Sequence, residues 1–203
     1  AMGIPMDRPG VRIDRMIEVV EMSRRFFAGD DLDLDGEHVT ARDMRAVPMS
    51  PQDGGPRIML GGGSPRVLRV AGQLADIVSV NFDNSAGKIG DHGIGSGTAD
   101  GTAQKLEWIR EGAGERFEDL EIEIGAYFTT VTNQTDATTA DMAGALNLKP
   151  EVLAAHPHTL IGSVDEICEK LEQRRAELGI SYVTVGVSVM KDFAAVVEKM
   201  AGT

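Results

Sequence analysis

The amino-acid sequence predicts an α/β fold built on a parallel sheet, and three observations carry that prediction. Four apolar, strand-like segments are each followed by sequence of helical periodicity, the order that parallel sheets impose. One strand-to-helix junction, Leu60-Gly61-Gly62-Gly63-Ser64-Pro65, is a run of glycines closed by a helix start. The 203 residues are 42% hydrophobic, enough for one core, so residues 1–203 are read as a single domain.

The elements follow in order. From about Pro9 to Ala28, Val11, Ile13, Met16, Ile17, Val20, Phe26 and Phe27 recur at mostly helical spacing up to Gly29. This helix has no strand before it. Leu32, Leu34 and Val39 then flank Asp35-Gly36, a pair that favours a hairpin turn, and a connector rich in proline and glycine runs from Pro48 to Pro56. Residues 30–56 are thus a hairpin and connector insertion. Arg57 to Leu60 is strand-like, and Val67, Leu68, Val70, Ala71 and Leu74 share one face of the helix it feeds. Ile77 to Phe82 is the second strand.

Residues 84–103 are rich in Gly, Ser, Thr and Asp and read as a long loop or lid. A helix is expected near Thr102 to Glu115, then a strand from Leu120 to Val131 with period-two alternation at Ile122, Ile124, Ala126 and Phe128. Short helical pieces fill Ala137 to Ala155. Ser163-Val164-Asp165-Glu166 is a capping box opening a helix that stops at Gly179. The β-branched run Ile180 to Val187 is the fourth strand, and Phe193 to Met200 the last helix. A complete eight-stranded barrel takes about 250 residues. Four units in this length fit half of a (β/α) barrel with insertions, or a small doubly wound sheet.

Charge and composition exclude several roles. Net charge is 20 − 32 = −12, which disfavours nucleic acid or an anionic membrane as the main partner. Apolar runs stay well short of the roughly 18–20 residues that span a bilayer. Cys168 is the one cysteine, so no internal disulfide forms, and a reducing cytoplasm is the expected compartment. Within an amphipathic helix its thiol is read as passive.

The glycine run carries the most chemistry. Glycines let backbone approach an anion closely, and amides at a helix N-terminus point partial positive charge outward. The run matches neither a dinucleotide loop nor a triphosphate loop, so a monophosphate-bearing cofactor fits better. A turn using glycine only for its geometry is the competing reading. Ser64 lacks a nucleophile elbow and a neighbouring His, so its hydroxyl is a cap or a phosphate donor.

Other candidates are weaker. Asp31-Leu32-Asp33-Leu34-Asp35-Gly36 imitates the opening of a calcium loop, but the twelfth position is Arg42 where a bidentate Glu is needed. His156-Pro157-His158 lacks further ligands for a metal. His38 and His92 stand alone and read as solvated; His92 is the better acid–base candidate of the two.

A set of ordered segments adds a resemblance: Gly3-Ile4-Pro5 with Arg12, Gly36-Glu37-His38, Pro56-Arg57-Ile58-Met59-Leu60-Gly61-Gly62-Gly63-Ser64-Pro65-Arg66, Ala75-Asp76, Leu160-Ile161-Gly162-Ser163 and Leu178-Gly179-Ile180-Ser181-Tyr182. Together they resemble the bacterial-luciferase-like oxidoreductases, most closely the deazaflavin-dependent branch. The resemblance implies a TIM-type (β/α) barrel, here its C-terminal half with insertions. It also implies coenzyme F420, or alternatively FMN, for hydride transfer or oxygen activation on a small-molecule substrate.

In that family the turn matching Gly61, Gly62, Gly63 and Ser64 holds the cofactor phosphate, with Arg66 nearby. A bulky residue at Gly63 is therefore expected to weaken cofactor binding far more than folding. Family members carry roughly four further β/α units ahead of the part matched here, so no catalytic residue can be transferred. The alternative is a non-catalytic fragment, or a subunit completed by a partner. Either way the exposed half-barrel edges call for association, a homo-oligomer first.

Overall fold

The computed structural model describes residues 6–84 and 91–202. Helix α1 (Pro9–Phe27) starts on a proline at its first turn and ends with Arg24 and Arg25 facing the negative end of its dipole. Strands β1 (Leu32–Asp35) and β2 (Thr40–Met44) form the expected antiparallel hairpin. Arg42, the residue that spoils the calcium pattern, pairs across the hairpin with Asp33 at 3.4 Å and Asp35 at 3.2 Å.

The hairpin turn is held from α1. Glu18 accepts hydrogen bonds from the amides of Glu37, His38 and Val39 at 3.1, 2.9 and 2.9 Å. The His38 amide foremost holds its carboxyl below the usual range. His38 itself is only 13% exposed and not solvated, because the turn folds its ring onto the protein. Glu18→Gln removes the charged acceptor and is expected to speed hydrogen exchange of these three amides several-fold while core amides keep wild-type protection.

The main sheet is made of β3 (Met59–Gly62), β4 (Ile77–Val80), β5 (Glu121–Ala126) and the strand Ile180–Val185 (β8), in the order β3-β4-β5-β8 and parallel throughout. These are the four expected strands. Helix α2 (Pro65–Leu74) joins β3 to β4. Between β4 and β5 lie α3 (Asp91–Gly95) and α4 (Ala99–Ala113), the second capped by the Thr98 side chain. The expected loop at 84–103 is therefore partly helical. Its residues 85–90 and the side chain of His92 fall outside the described residues.

The expected strand 120–131 also differs. It breaks at Tyr127, whose amide bonds Gly125 O at 3.1 Å, and that tight turn hands the chain to β6 (Phe128–Val131). Helices α5 (Thr135–Ala145) and α6 (Pro150–Ala154) lead to β7 (Thr159–Gly162), which pairs in parallel with β6. β7 was not expected as a strand: four fully buried residues give no alternation to detect. Helix α7 (Val164–Leu178) opens on the predicted capping box, and α8 (Ala194–Met200) follows β8.

The two faces of the main sheet differ. Val78, Val80, Ile122 and Ile124 are buried against Leu68, Ala71, Leu106 and Ile109 of α2 and α4. The helices press close because Gly72 and Gly112 lie at their crossing: a Cβ on Gly112 would stand 2.1 Å from Arg69 O. The other face, by strand alternation, carries Met59, Gly61, Ser79, Glu123 and Tyr182. Gly61, Ser79, Glu123 and Tyr182 lie in register across the four strands. This face is mixed: Met59 is 42% and Tyr182 37% exposed, whereas Ser79 and Glu123 are buried.

Candidate cofactor site

Parallel strands bring their carboxyl ends to one side of the sheet, where α/β ligands collect. The glycine turn lies there. Gly61 is exposed, Gly63 is buried and Ser64 half-buried. Ser64 has the extended backbone of an N-cap (φ −99°, ψ 152°), yet its side chain makes no cap hydrogen bond. Pro65 has no N–H, so the free amides of the first turn belong to Arg66 and Val67. A monophosphate fits this end: an uncommitted hydroxyl, unpaired amides and the dipole of a ten-residue helix meet there.

Arg66 points elsewhere. It is exposed and forms an ion pair at 2.5 Å with Asp14 of α1, so its guanidinium serves the α1–α2 contact. Gly63 is also fixed by its packing. A Cβ there would stand 2.2 Å from Phe82 O and 2.6 Å from Asp83 N, both backbone. Its glycine is required by packing, whether or not an anion binds.

Next to the turn sits a constellation that sequence reasoning did not assemble. Asn81, just beyond β4, donates to Ser79 Oγ at 3.0 Å, and the Tyr127 hydroxyl donates to Asn81 Oδ1. Burial, and secondarily the charge of Glu123, raises the Tyr127 phenol above its ordinary value. Glu123 is itself buried and accepts from Thr184 Oγ1 at 2.6 Å. Lys105, 2% exposed on α4, donates to Asn81 O and Ser96 O, each at 2.7 Å. Desolvation lowers its ammonium to about 8 despite the opposing charge of Asp83.

Behind Tyr127 lie His156 and His158, both fully buried. His158 donates from Nδ1 to Gly125 O at 2.7 Å, which leaves Nε2 an unprotonated acceptor, buried and unpartnered. Its ring stacks on Tyr127 at 5.3 Å and lies 4.5 Å from Phe82. Burial keeps His158 neutral, its pKa lowered to about 3. His156 Nε2 bonds Ile94 O at 3.1 Å, 62 positions away, and His158 reaches Gly125 across 33, so His-Pro-His could not reveal these contacts. Cys168 is buried in α7, and burial pushes its thiol up, in keeping with a passive role.

Solved structures of similar shape are α/β barrels of one kind. The coenzyme F420-dependent tetrahydromethanopterin reductase of Methanopyrus kandleri is 16% identical with a TM-score of 0.65, over 90% of this chain and 60% of that one. The EDTA monooxygenase of Chelativorans sp. BNC1 is 11% identical with a TM-score of 0.68, over 97% and 61%. An F420-dependent secondary alcohol dehydrogenase is 16% identical with a TM-score of 0.63, over 96% and 65%. This chain thus spans about three fifths of their length, and its fold is a partial barrel. No curated protein matches the sequence. A sequence model of the luciferase-like monooxygenases matches residues 1–150, and with the parallel half-barrel it places this chain in the luciferase-like monooxygenase family.

Proposed function

We propose that the chain is the phosphate-anchoring part of a luciferase-like oxidoreductase that uses coenzyme F420, or alternatively FMN, on a small-molecule substrate. The observation that carries this reading is the Ser64 hydroxyl, left uncommitted at the start of α2 beside Gly61 and Gly62 at the carboxyl end of β3. Ser64 and the backbone from Gly62 to Val67 would hold the phosphate, Gly63 sets the path of the turn, and Arg66 adds only distant positive charge. When bound, the cofactor ring supplies the hydride or oxygen chemistry. F420 and FMN each appear among the solved neighbours, as an F420-dependent reductase and as a riboflavin lyase with modified FMN.

A second reading rests on the exposed Met59 and Tyr182 of that sheet face and on β3 and β8, the two edge strands of the main sheet. Exposed edges and apolar side chains such as Met59 favour a covering chain. In this reading the subunit anchors the cofactor, and catalysis needs a second copy or the remaining barrel units. No helix among the described residues is long and apolar enough to cross a membrane, and a buried lone thiol suits a reducing cytoplasm.

Titration of the purified chain with F420 and with FMN, followed by absorbance, tests the anchoring. Ser64→Ala is expected to weaken binding about tenfold through loss of one charge-assisted hydrogen bond, with thermal stability unchanged because no cap bond is lost. Absence of a spectral change with either cofactor overturns the reading. Size-exclusion mass decides between monomer and completed assembly.

A further inference from the structure

Beside the glycine turn the structure holds a cavity of about 350 Å³ whose walls are Phe82, Ile94, Tyr127, Phe128 and Leu146, with the amides of Asn81 and Asn84 completing the lining. It opens at the carboxyl ends of β4 and β5, the side of the sheet where α/β ligands bind. It shares a segment with the turn: Gly63 packs on the Phe82 carbonyl, and a Cβ on Gly61 would lie 3.1 Å from Asn81 Nδ2. We infer that this cavity binds the substrate, an uncharged flat apolar molecule carrying one hydroxyl or carbonyl, with its oxygen at the Asn81–Tyr127 pair. This deepens the proposed oxidoreductase reading and rests on it for the word substrate, while the binding claim stands on the cavity alone.

The walls set the chemistry. Three of the lining side chains are aromatic, two are aliphatic, Asn81 and Asn84 add neutral amides, and among the described residues no carboxylate, amine or guanidinium lines the space. A charged ligand would lose its hydration with no counter-charge to replace it. A planar apolar body gains ring contacts and buried area instead. The size admits roughly ten to fifteen heavy atoms, the scale of a small aromatic or short-chain molecule.

The walls are also fixed in advance. The Tyr127 ring is stacked on His158, which is pinned to Gly125 O at 2.7 Å, and Phe82 lies 5.2 Å from Tyr127 and 6.3 Å from Phe128. A Cβ on Gly125 would stand 2.8 Å from the Tyr127 ring, so only glycine lets tyrosine fold over the strand end. Tyr127 gives its proton to Asn81 Oδ1 and keeps lone pairs on its oxygen, while Asn81 Nδ2 is occupied by Ser79. A ligand hydroxyl can therefore donate to Tyr127, and a ligand carbonyl can take the phenol proton if the asparagine yields it. Either way the pair reads one oxygen.

Isothermal titration with 2-naphthol and with naphthalene, on the full chain with and without saturating FMN, tests this. Saturable one-to-one binding of 2-naphthol is expected, about tenfold tighter than naphthalene, and unchanged by FMN or inorganic phosphate. Tyr127→Phe should remove the preference for the hydroxyl while naphthalene still binds. Leu146→Trp, at a half-buried position that can take the added ring, should fill the cavity and abolish both while the fold keeps its thermal midpoint. No saturable binding, or binding that survives Leu146→Trp, overturns the cavity. Competition between 2-naphthol and FMN overturns it too, because the space would then belong to the cofactor ring. Naphthol binding by a chain that ignores F420 and FMN keeps the cavity and overturns the anchoring reading instead.

Discussion

Gly63→Val is expected to cost the fold about 3 kcal/mol, at the upper end of overpacking penalties, and to do so with no cofactor present. The reason is what the new atoms meet. The Cβ position stands 2.2 Å from the Phe82 oxygen, 2.4 Å from its carbonyl carbon and 2.6 Å from the Asp83 nitrogen. All three are backbone, so no rotamer change relieves the clash; β3 or the segment after β4 must move. That segment is tied down, because Lys105 holds Asn81 O and Ser96 O while the Asp83 amide donates to Ser96 Oγ at 2.8 Å. The entropy gained on replacing glycine, about 0.4–1 kcal/mol, is too small to offset the clash. Urea unfolding of the cofactor-free variant checks this. A wild-type midpoint with lost cofactor affinity would return Gly63 to the role of an anion cradle.

Gly63 also shows where sequence reading stops. Glycine runs at strand-to-helix junctions announce themselves locally, as do the N-cap, the proline start and the period of α2, so the turn and the four parallel strands were legible. The reason for each glycine was not, because it depends on what the next strand places above it. Arg66 illustrates the same limit: its partner Asp14 lies 52 residues away on α1. The Tyr127 break was invisible because Ile122 to Phe128 keeps an unbroken alternation through the kink. The second sheet was hidden for the opposite reason, since β7 is buried on both faces and carries no period. The cavity and the Asn81–Tyr127 pair needed the structure outright. Their residues come from the end of β4, from α3, from the β5–β6 junction and from the end of α5, and nothing in the local sequence of Asn81 or His158 distinguishes them from ordinary loop residues.

The largest environmental effect is expected on acidification, from the two buried histidines. Burial first, then the neighbouring His156 imidazole and the charges of Lys105 and Arg174, lower His158 from its ordinary 6.5 to about 3, against the raising effect of its bond to Gly125 O. His156 shifts in the same direction, again through burial first, with Arg174 and Lys105 adding to it. The sign follows directly. Below pH 6.5 the unfolded chain protonates both rings while the folded chain holds them neutral, so the unfolded state binds more protons and stability falls as pH falls. Above pH 6.5 both states carry neutral rings and the full stability is present. At pH 5, 1.5 units below that value, His158 alone takes away about 2 kcal/mol, and the loss keeps growing down to about pH 3. The carboxylates with lowered pKa values, Glu18, Asp76 and Glu166, lose their contribution only below their ordinary 4.5 or 3.8. The window between pH 6.5 and 4.5 therefore isolates the imidazoles. His158→Phe keeps an aromatic ring between Tyr127 and Phe82 but gives up the bond to Gly125. It should be about 1 kcal/mol less stable than wild type at pH 7.5, yet lose less stability than wild type between pH 6.5 and 5. Urea midpoints at pH 7.5, 6 and 5 measure both quantities. A variant that follows the wild-type slope would mean that His158 is protonated in the fold and that the ring stack behind Tyr127 is charged, which would also remove the neutral wall that the substrate cavity leans on.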